Sequence, residues 1–273
     1  MTIERLLTAR RAVRSDRPLI HCITNPISIN DCANAILAVG AQPIMAEHPQ
    51  EVAAITQSAG ALLVNLGNIT DVRMASMQLS AAAARAHGVP IVIDLVGVAC
   101  SPLRLDFARA FVQQHHPALI KGNLTELKAF AGLAAHTAGV DAAADDLYPA
   151  DSAYAALAQL ARRTGSVVFA TGETDAVTDG RQLCLLHNGH PLLARVTGTG
   201  CVVGALAACF LSRADGLTAA ALAAALLGIC GECAAEQALG TGTFRTALLD
   251  HLSMLEDETL RRRLRLVCRA AEH

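Results

Sequence analysis

The strongest chemical signal in the sequence is a glycine-rich turn, Val196-Thr197-Gly198-Thr199-Gly200-Cys201, which leads directly into an apolar helical pattern. Gly198 and Gly200 allow the backbone to turn tightly and to approach a ligand closely. The start of the following helix presents unpaired N–H groups and a positive partial charge. Together these features predict an anion site suited to a phosphate, able to stabilise charge on the oxygens of a phosphoryl group in transfer.

Cys201 stands at the start of that helix, where the positive end of the helix predicts a lowered thiol pKa and a larger thiolate fraction. Such a thiol could help to deprotonate a substrate alcohol, or it could simply contact the substrate. As an isolated residue, Cys201 is equally well explained as a small buried side chain. The residue types alone leave these three roles open.

Two other phosphate-binding motifs fit the turn less well. Gly198-x-Gly200-x-x-x-Gly204 resembles a dinucleotide fingerprint, which requires a βαβ unit and an acidic residue about 20 positions on. Asp215 lies near that distance, but it belongs to a turn between two predicted helices. The chain contains no Walker-type sequence, G-x-x-x-x-G-K followed by Ser or Thr, which disfavours a P-loop kinase.

The elements that must position this turn follow from the pattern of apolar runs. Short runs alternate with helical patterns, which predicts βα units and a parallel sheet. Several runs end in polar residues, namely Asn65, Asp94, Lys121 and Thr171. Ligands of open α/β sheets bind beyond the carboxyl ends of the strands, so this set is a candidate site; alternatively, each residue caps the next helix. The predicted strands are Leu19–Cys22, Ala61–Asn65, Ile91–Asp94, Ala118–Lys121 and Val167–Thr171.

Helical patterns fill the intervals between these strands, and Asn123-Leu-Thr-Glu126 has the form of a capping box. These helices cover Ile29–Val39, Pro49–Ser58, Asp71–His87, Pro102–His115 and Asn123–Gly132. Ala134–Asp151 is loosely patterned and is predicted to be a surface excursion. After Gly165 we expect short antiparallel strands with an Asp179-Gly180 hairpin turn, and then helices. These elements are Ala176–Asp179, Gln182–His187, Pro191–Val196, Cys201–Arg213, Thr218–Leu239 and Phe244–Glu258.

The composition favours one large α/β domain, 1–273, with a buried core. Hydrophobic residues make up 53% of the chain, and much of the excess is alanine. The longest apolar stretch, Leu217–Cys230, is shorter than the roughly 20 residues of a membrane span, so we expect a buried helix. Met1–Arg17 lacks the apolar core of a signal peptide. The formal net charge is −2 without a basic field. We therefore expect a cytoplasmic protein without membrane or nucleic-acid partners.

Nine cysteines are scattered along the chain, and only Cys230 and Cys233 form a C-x-x-C pair. That pair lies in an apolar helical pattern without a second pair. We therefore expect buried free thiols rather than a zinc or redox site. A basic run, Arg261–Arg263 with Arg265 and Arg269, is expected on the solvated face of a C-terminal helix.

The segment His21–Asn34, HCITNPISINDCAN, resembles the N-terminal signature of hydroxyethylthiazole kinases. These enzymes of thiamine salvage use ATP and Mg²⁺ to phosphorylate 4-methyl-5-(2-hydroxyethyl)thiazole. The resemblance extends from about Leu19 to Leu211, and it implies a ribokinase-like fold, a central, mostly parallel sheet with helices on both faces. It also implies a homotrimer with active sites at subunit interfaces. The further matching segments are Ala41–Met45, Asn65–Gly67, Ile93–Gly97, Lys121–Glu126 and Thr197–Cys201.

On the substrate side, the resemblance implies that Asn25, Met45 and Gly67 line a thiazole pocket. A flexible thioether such as that of Met45 packs well on a flat heteroaromatic ring. Gly198 resembles the glycine of an anion hole that also contacts the substrate, and Gly200 and Cys201 complete the catalytic turn. The wider ribokinase-like group has an aspartate base at the position of Cys201, whereas the thiazole kinases commonly have cysteine. We therefore expect a modest contribution from Cys201.

On the nucleotide side, the resemblance implies that Lys121, Thr171 and Gly172 contact ATP. Family members often have arginine at the position of Lys121, so this chain keeps the charge but loses the planar fork. Asp94 and Glu126 resemble the acidic pair that holds Mg²⁺, directly or through water.

Three alternatives remain beside a thiazole kinase. The first is a kinase for another small alcohol, such as a hydroxymethylpyrimidine or a sugar. The second is an ATP-dependent hydro-lyase of similar fold, which would favour an aspartate near position 201. The third is a non-catalytic binding protein, which the presence of Asp94, Glu126 and the glycine turn disfavours.

Overall fold

The computed structural model describes residues 1–133 and 150–271, and the described residues build a nine-stranded sheet. The strands are β1 (Leu19–Ile23), β2 (Gln42–Ile44), β3 (Ala61–Asn65), β4 (Ile91–Asp94), β5 (Leu119–Asn123), β6 (Val167–Thr171), β7 (Asp175–Thr178), β8 (Gln182–Leu186) and β9 (Leu266–Ala270). Their spatial order is β2-β1-β3-β4-β5-β6-β7-β8-β9. The pairs from β2 to β6 are parallel, and the pairs from β6 to β9 are antiparallel. The predicted mostly parallel sheet is confirmed.

Helices cover both faces of the sheet because strand side chains alternate between the two faces. Leu63 and Val92 belong to a first core cluster with the helices at 199–211 and 216–237, whereas Leu62 and Val64 belong to a second cluster with the helices at 71–87 and 102–115. The helices are α1 (Ile3–Asp16), α2 (Ile29–Ala38), α3 (Val52–Gln57), α4 (Asp71–His87), α5 (Pro102–His115), α6 (Leu124–Ala131), α7 (Ala150–Thr164), α8 (Thr199–Leu211), α9 (Gly216–Gln237), α10 (Thr241–Met254) and α11 (Asp257–Arg263).

The alanine-rich stretch forms α9, as predicted. This helix is long and apolar enough to cross a membrane by length and composition, but 94% of its apolar window is buried inside the fold. Its small side chains pack against both neighbouring helices, α8 and α10, and against the sheet. The helix is therefore part of the protein core.

Local capping residues fix the helices that matter for the site. Thr70 accepts a hydrogen bond from the Arg73 backbone N–H at 3.2 Å, which starts α4, and Gly88 ends α4 with a φ of +70°. The capping box predicted at Asn123 and Glu126 is present at the start of α6. The hairpin turn predicted at Asp179-Gly180 joins β7 to β8, and Gly180 has a φ of +86°.

Two predicted elements are wrong. Pro191–Val196 was expected as a strand but forms a 3₁₀ helix over Pro191–Arg195, because Pro191 fits a first helical turn and His190 caps it. Phe244–Glu258 was expected as one helix but divides into α10 and α11. The break lies at Leu255, whose carbonyl accepts a hydrogen bond from the buried Arg10. The other amino group of Arg10, Nη1, lies 2.5 Å from Asp257 Oδ1 at the start of α11. Strands β2 and β9 were not predicted.

The expectations for cysteines and basic residues need correction. Cys184 and Cys268 face each other on β8 and β9 and form a disulfide, and Cys100 is exposed, so not every cysteine is a buried free thiol. Arg265 lies beyond the end of α11 and Arg269 lies in β9, so neither is on the predicted helix, because the chain becomes extended after α11. The surface excursion predicted for Ala134–Asp151 lies outside the described residues, apart from the backbone of residues 150–151 at the start of α7.

Candidate active site

A buried ion pair lies at the carboxyl ends of β4 and β5. Asp94 and Lys121 are direct partners in the parallel register, and Lys121 Nζ lies 3.0 Å and 3.1 Å from the two carboxylate oxygens. Burial by itself lowers the pKa of Lys121, but the charges of Asp94 and Glu126 raise it above its ordinary value. Burial raises the pKa of Asp94, while Lys121 and Asn65 act in the opposite direction. The pair thus holds a lysine ammonium against a carboxyl group in a dry environment.

Asn65 continues this row on the adjacent strand, β3. Its Nδ2 donates to Asp94 Oδ2 at 2.9 Å and to Cys201 Sγ at 3.4 Å. Its Oδ1 accepts from the backbone N–H of Gly67 at 2.8 Å. The sequence placed Asn65 at the strand edge without giving it a role, and the structure makes it the link between the carboxylate, the thiol and the Gly67 loop.

The glycine turn brings the start of α8 onto the ion pair. Gly198 precedes the helix with a φ of +89°, a conformation that favours glycine. A Cβ at Gly200 would lie 3.5 Å from Lys121 Nζ, and a Cβ at Gly204 would lie 3.3 Å from Asp94 Oδ2. These two glycines share a helix face, so their spacing reflects close packing on the pair. Because α8 leads into another helix rather than a strand, the dinucleotide interpretation is not supported.

The predicted lowering of the Cys201 pKa is wrong. Cys201 is 7% exposed, and burial raises its pKa, with the charge of Asp94 acting in the same direction. Lys121 and the hydrogen bond from Asn65 oppose this shift without reversing it. The neighbouring carboxylate and the loss of water outweigh the helix terminus, so the thiol is protonated at neutral pH.

Glu126 lies beside the pair at the start of α6. Its Oε1 accepts from the Gly97 N–H and its Oε2 accepts from the Asn123 N–H, both at 2.8 Å. Burial raises the pKa of Glu126 to about 7, partly offset by the Lys121 charge. Among the residues the structure describes, no group of three or more His, Cys, Asp or Glu could hold a metal ion. A cation at this edge would therefore depend on one or two carboxylates.

Thr171 and Gly172 follow β6, next to the end of β5. Thr171 Oγ1 donates to the Gly122 carbonyl at 3.4 Å, and the Gly172 N–H donates to Asp175 Oδ1 at 3.0 Å. Gly172 is exposed, so its turn is open to a ligand that approaches the strand ends from solvent.

Asn25, Met45 and Gly67 lie in the loops that follow β1, β2 and β3. A Cβ at Gly67 would lie 2.5 Å from Asn25 Nδ2, so glycine lets these two loops touch. Met45 is half-buried and packs against the first core cluster. The next carbonyl, that of Ala46, lies 2.9 Å from His21 Nε2.

The structure therefore brings Asp94, Lys121, Cys201 and the glycine turn into one cluster and links Gly67 to it through Asn65. Sequence patterns did not single out Arg73, a buried side chain beneath the loops of Asn25, Met45 and Gly67. A charged residue in the first turn of a helix is common on protein surfaces, so its type gave no sign of burial.

Comparison with known proteins gives consistent results. The model of the hydroxyethylthiazole kinase family matches residues 11–258. Hydroxyethylthiazole kinase 2 of Clostridium botulinum (strain 657 / Type Ba4) is 46% identical over 260 residues, which cover 94% of this chain and 98% of that protein. The structure of a hydroxyethylthiazole kinase protein from Pyrococcus horikoshii OT3 matches with a TM-score of 0.88 and 31% identity, and it covers 97% of this chain and 99% of that one.

A more distant structure supports the predicted fold class. A ribokinase-like superfamily protein from Enterococcus faecalis V583 matches with a TM-score of 0.62 and 12% identity over 92% of this chain and 94% of that one. At this identity the likeness concerns the fold alone. The predicted ribokinase-like fold is confirmed.

Proposed function

The chain belongs to the hydroxyethylthiazole kinase family, and we propose that it transfers the γ-phosphoryl group of ATP to the hydroxyl of 4-methyl-5-(2-hydroxyethyl)thiazole in thiamine salvage. The observation that carries this proposal is the glycine turn of α8, packed directly on the Asp94–Lys121 pair. Helix N–H groups, a cation and a carboxylate converge there, as phosphoryl transfer requires.

The substrate half of the site comprises Asn25, Met45 and Gly67. The loops of Asn25 and Gly67 touch each other, and the thioether of Met45 is half-buried. Both observations support a pocket for a small, flat, mostly apolar ring. In this arrangement the alcohol arm of the substrate would reach toward Gly198 and Cys201.

The phosphoryl half comprises the strand ends of β4, β5 and β6 and the glycine turn. Backbone N–H groups at Gly198 and Gly200 would stabilise charge on the transferred oxygens. Lys121 would contact the nucleotide phosphates as a point charge, and Thr171 and Gly172 would contact the nucleotide from the neighbouring turn.

Asp94 and Glu126 would hold Mg²⁺. Their oxygens are the hard ligands that Mg²⁺ takes, and Mg²⁺ commonly combines one or two carboxylates with waters and substrate phosphates. The hydrogen bonds already made leave lone pairs free, because a carboxylate accepts about four. When bound, the ion would neutralise charge on the ATP phosphates. Asn65 and Lys121 would orient the Asp94 carboxylate for this role.

Cys201 would act mainly as a substrate contact. Its raised pKa leaves little thiolate to serve as a base, and a loose transition state demands little base strength. Positioning and charge stabilisation by the surrounding groups would then supply most of the rate.

We also propose a homotrimer in the cytoplasm. Ile27, two residues after Asn25, is 61% exposed, and an apolar side chain at the rim of the site would be covered by a subunit interface. The buried position of α9 supports a water-soluble protein. Sedimentation of the purified protein, with Ile27→Asp as the matched variant, tests the assembly.

The decisive experiment is an incubation with Mg-ATP and hydroxyethylthiazole, followed by mass spectrometry of the products. We expect a thiazole that has gained one phosphoryl group, equimolar ADP, and no product without Mg²⁺. Asp94→Asn serves as the control of strongly reduced activity. Release of free phosphate would favour a hydro-lyase, and intact ATP across thiazole, pyrimidine and sugar alcohols would contradict a kinase.

A further inference from the structure

Arg73 is a charged residue buried within the fold, and none of the proposed catalytic steps uses it. It stands at the third position of α4 and is 3% exposed. This position is unfavourable for a cation, because the helix start carries positive partial charge and burial removes water. Burial lowers the pKa of Arg73, and the charge of Glu47 opposes that shift. A buried cation in such a place must be stabilised by polar partners, and those partners indicate what the residue does.

Those partners come from three different loops. Nη1 donates to the carbonyls of Gly67 at 3.1 Å and Asn68 at 2.8 Å, and Nη2 donates to the carbonyl of Thr24. Nε lies 3.2 Å from Glu47 Oε2. The loops after β1, β2 and β3 thus converge on a single guanidinium group.

Each contact is adjacent to a proposed substrate residue. Thr24 precedes Asn25, Glu47 is two positions beyond Met45, and Gly67 is itself in the pocket. Strand ends alone do not fix loops, because loop backbone lacks the sheet's hydrogen bonds. A planar fork with five donors can bridge several carbonyls at once, whereas a lysine ammonium is a single point.

We propose that Arg73 is a positioning residue that clamps the loops after β1, β2 and β3 into one geometry. We expect this clamp to set the affinity of the enzyme for its alcohol substrate, an inference that rests on the proposed function. The contacts of Arg73 all go to these three loops, so its loss should affect the alcohol site before the ATP site.

The variant Arg73→Lys tests the clamp, with Arg85→Lys as the matched control. Arg85 lies on the same helix, about 18 Å further along at 1.5 Å per residue. It bonds the Gln114 carbonyl at the opposite end of the helix. Amide hydrogen exchange of residues 24–28, 45–48 and 66–69 is measured without ligands in both variants and in the wild type.

We expect faster exchange in all three loops of Arg73→Lys and unchanged exchange in Arg85→Lys. The KM for the alcohol should rise by roughly tenfold in Arg73→Lys, because buried bonds to a charged group are lost, while the KM for ATP stays within about twofold. Wild-type exchange in the three loops would overturn the clamp. Equal increases in both KM values would overturn its selectivity for the alcohol site.

Glu47→Gln provides a second variant if Arg73→Lys folds poorly. The Glu47 side chain is 51% exposed, so this change removes its charge attraction to Arg73 at little cost to folding. Amide exchange should then increase at residues 45–48 only. Exchange at these residues as slow as in the wild type would contradict the clamp. The exchange measurements need no substrate, so they decide the role of Arg73 even if the wild-type protein phosphorylates no thiazole, which would count against the proposed function alone.

Discussion

The phosphoryl half of the candidate site carries its Asp94–Lys121 ion pair on the strands themselves, whereas the substrate half carries its residues in loops. Asp94 is the register partner of Asn65 on one side and of Lys121 on the other, and it contacts both directly. Asn25, Met45 and Gly67 depend on contacts from residues behind them, such as Arg73 and His21. Sheet geometry therefore fixes the first half, and buried side chains of other elements fix the second.

The largest effect is expected for Asp94→Asn, which breaks the phosphoryl half. The change leaves the Lys121 ammonium buried without its charge partner, which should cost about 3–5 kcal/mol of the free energy of unfolding. The kcat should fall by roughly 10²–10³-fold, because charge stabilisation is lost. Urea denaturation and steady-state kinetics measure the two effects.

A double variant, Asp94→Asn with Lys121→Met, separates stability from catalysis. It should regain much of the unfolding free energy, because the buried ammonium is removed together with the carboxylate that it paired with, but it should not regain kcat. Wild-type turnover by the single variant would show that Asp94 has no part in the chemistry.

Gly198→Ala should produce the second-largest effect. Gly198 has a φ of +89°, and an added Cβ would lie 3.0 Å from Ser28 Cβ, so the turn must move. We expect kcat to fall by about 10²-fold, because the backbone N–H groups of the turn would no longer point at the transferred phosphoryl group. Gly88→Ala is the matched control, since Gly88 has a φ of +70° with open space around it.

The control should cost about 1–2 kcal/mol of stability from backbone strain and leave kcat unchanged. If both alanine variants retain full turnover, the glycine turn does not hold the phosphoryl group.

Cys201→Ala should have a smaller effect, a fall in kcat of less than about tenfold, since general bases typically contribute 10²–10⁴-fold and this thiol is protonated. Cys201→Asp should be as active as the wild type. Iodoacetamide at neutral pH should modify the exposed Cys100 well before Cys201, as peptide mass spectrometry would detect. Complete loss of activity in Cys201→Ala would restore the base hypothesis.

The smallest effect is a loss of folding stability at low pH, which depends on His21 in the substrate half. Burial lowers the pKa of His21, whose neutral ring bridges the Ala46 carbonyl and Thr56. The unfolded chain then binds a proton that the folded protein does not, so stability rises with pH and is lost as the pH falls below about 6.5. Urea denaturation at pH 7.5 and 5.5 measures this slope.

His21→Gln should flatten the pH slope, whereas His48→Gln, an exposed histidine nearby, should leave it unchanged. Equal slopes in all three proteins would remove His21 as the acid-sensitive element of the substrate half.

The sequence predicted the phosphoryl half better than the substrate half, for physical reasons. An apolar run that ends in Asp94 is visible in one short window, and the parallel arrangement of the strands follows from βα alternation. The role of Arg73 depends on carbonyls up to 49 positions away, which no local pattern contains. Likewise, β2 has three residues including Pro43, and β9 contains Arg269 and has no buried residue, so both lack the signal of a buried strand.

Arg10 joins α1 to the segment between α10 and α11, across a sequence separation of 247 residues. During synthesis at about 5–20 residues per second, roughly 12–50 seconds pass between the emergence of Arg10 and that of its partner Asp257. For most of this interval the apolar face of α1 lacks α8 and α9, and throughout it the Arg10 guanidinium lacks Asp257. Helix α1 is thus synthesised well before the residues that complete its contacts. We expect nascent chains to bind chaperones through this helix.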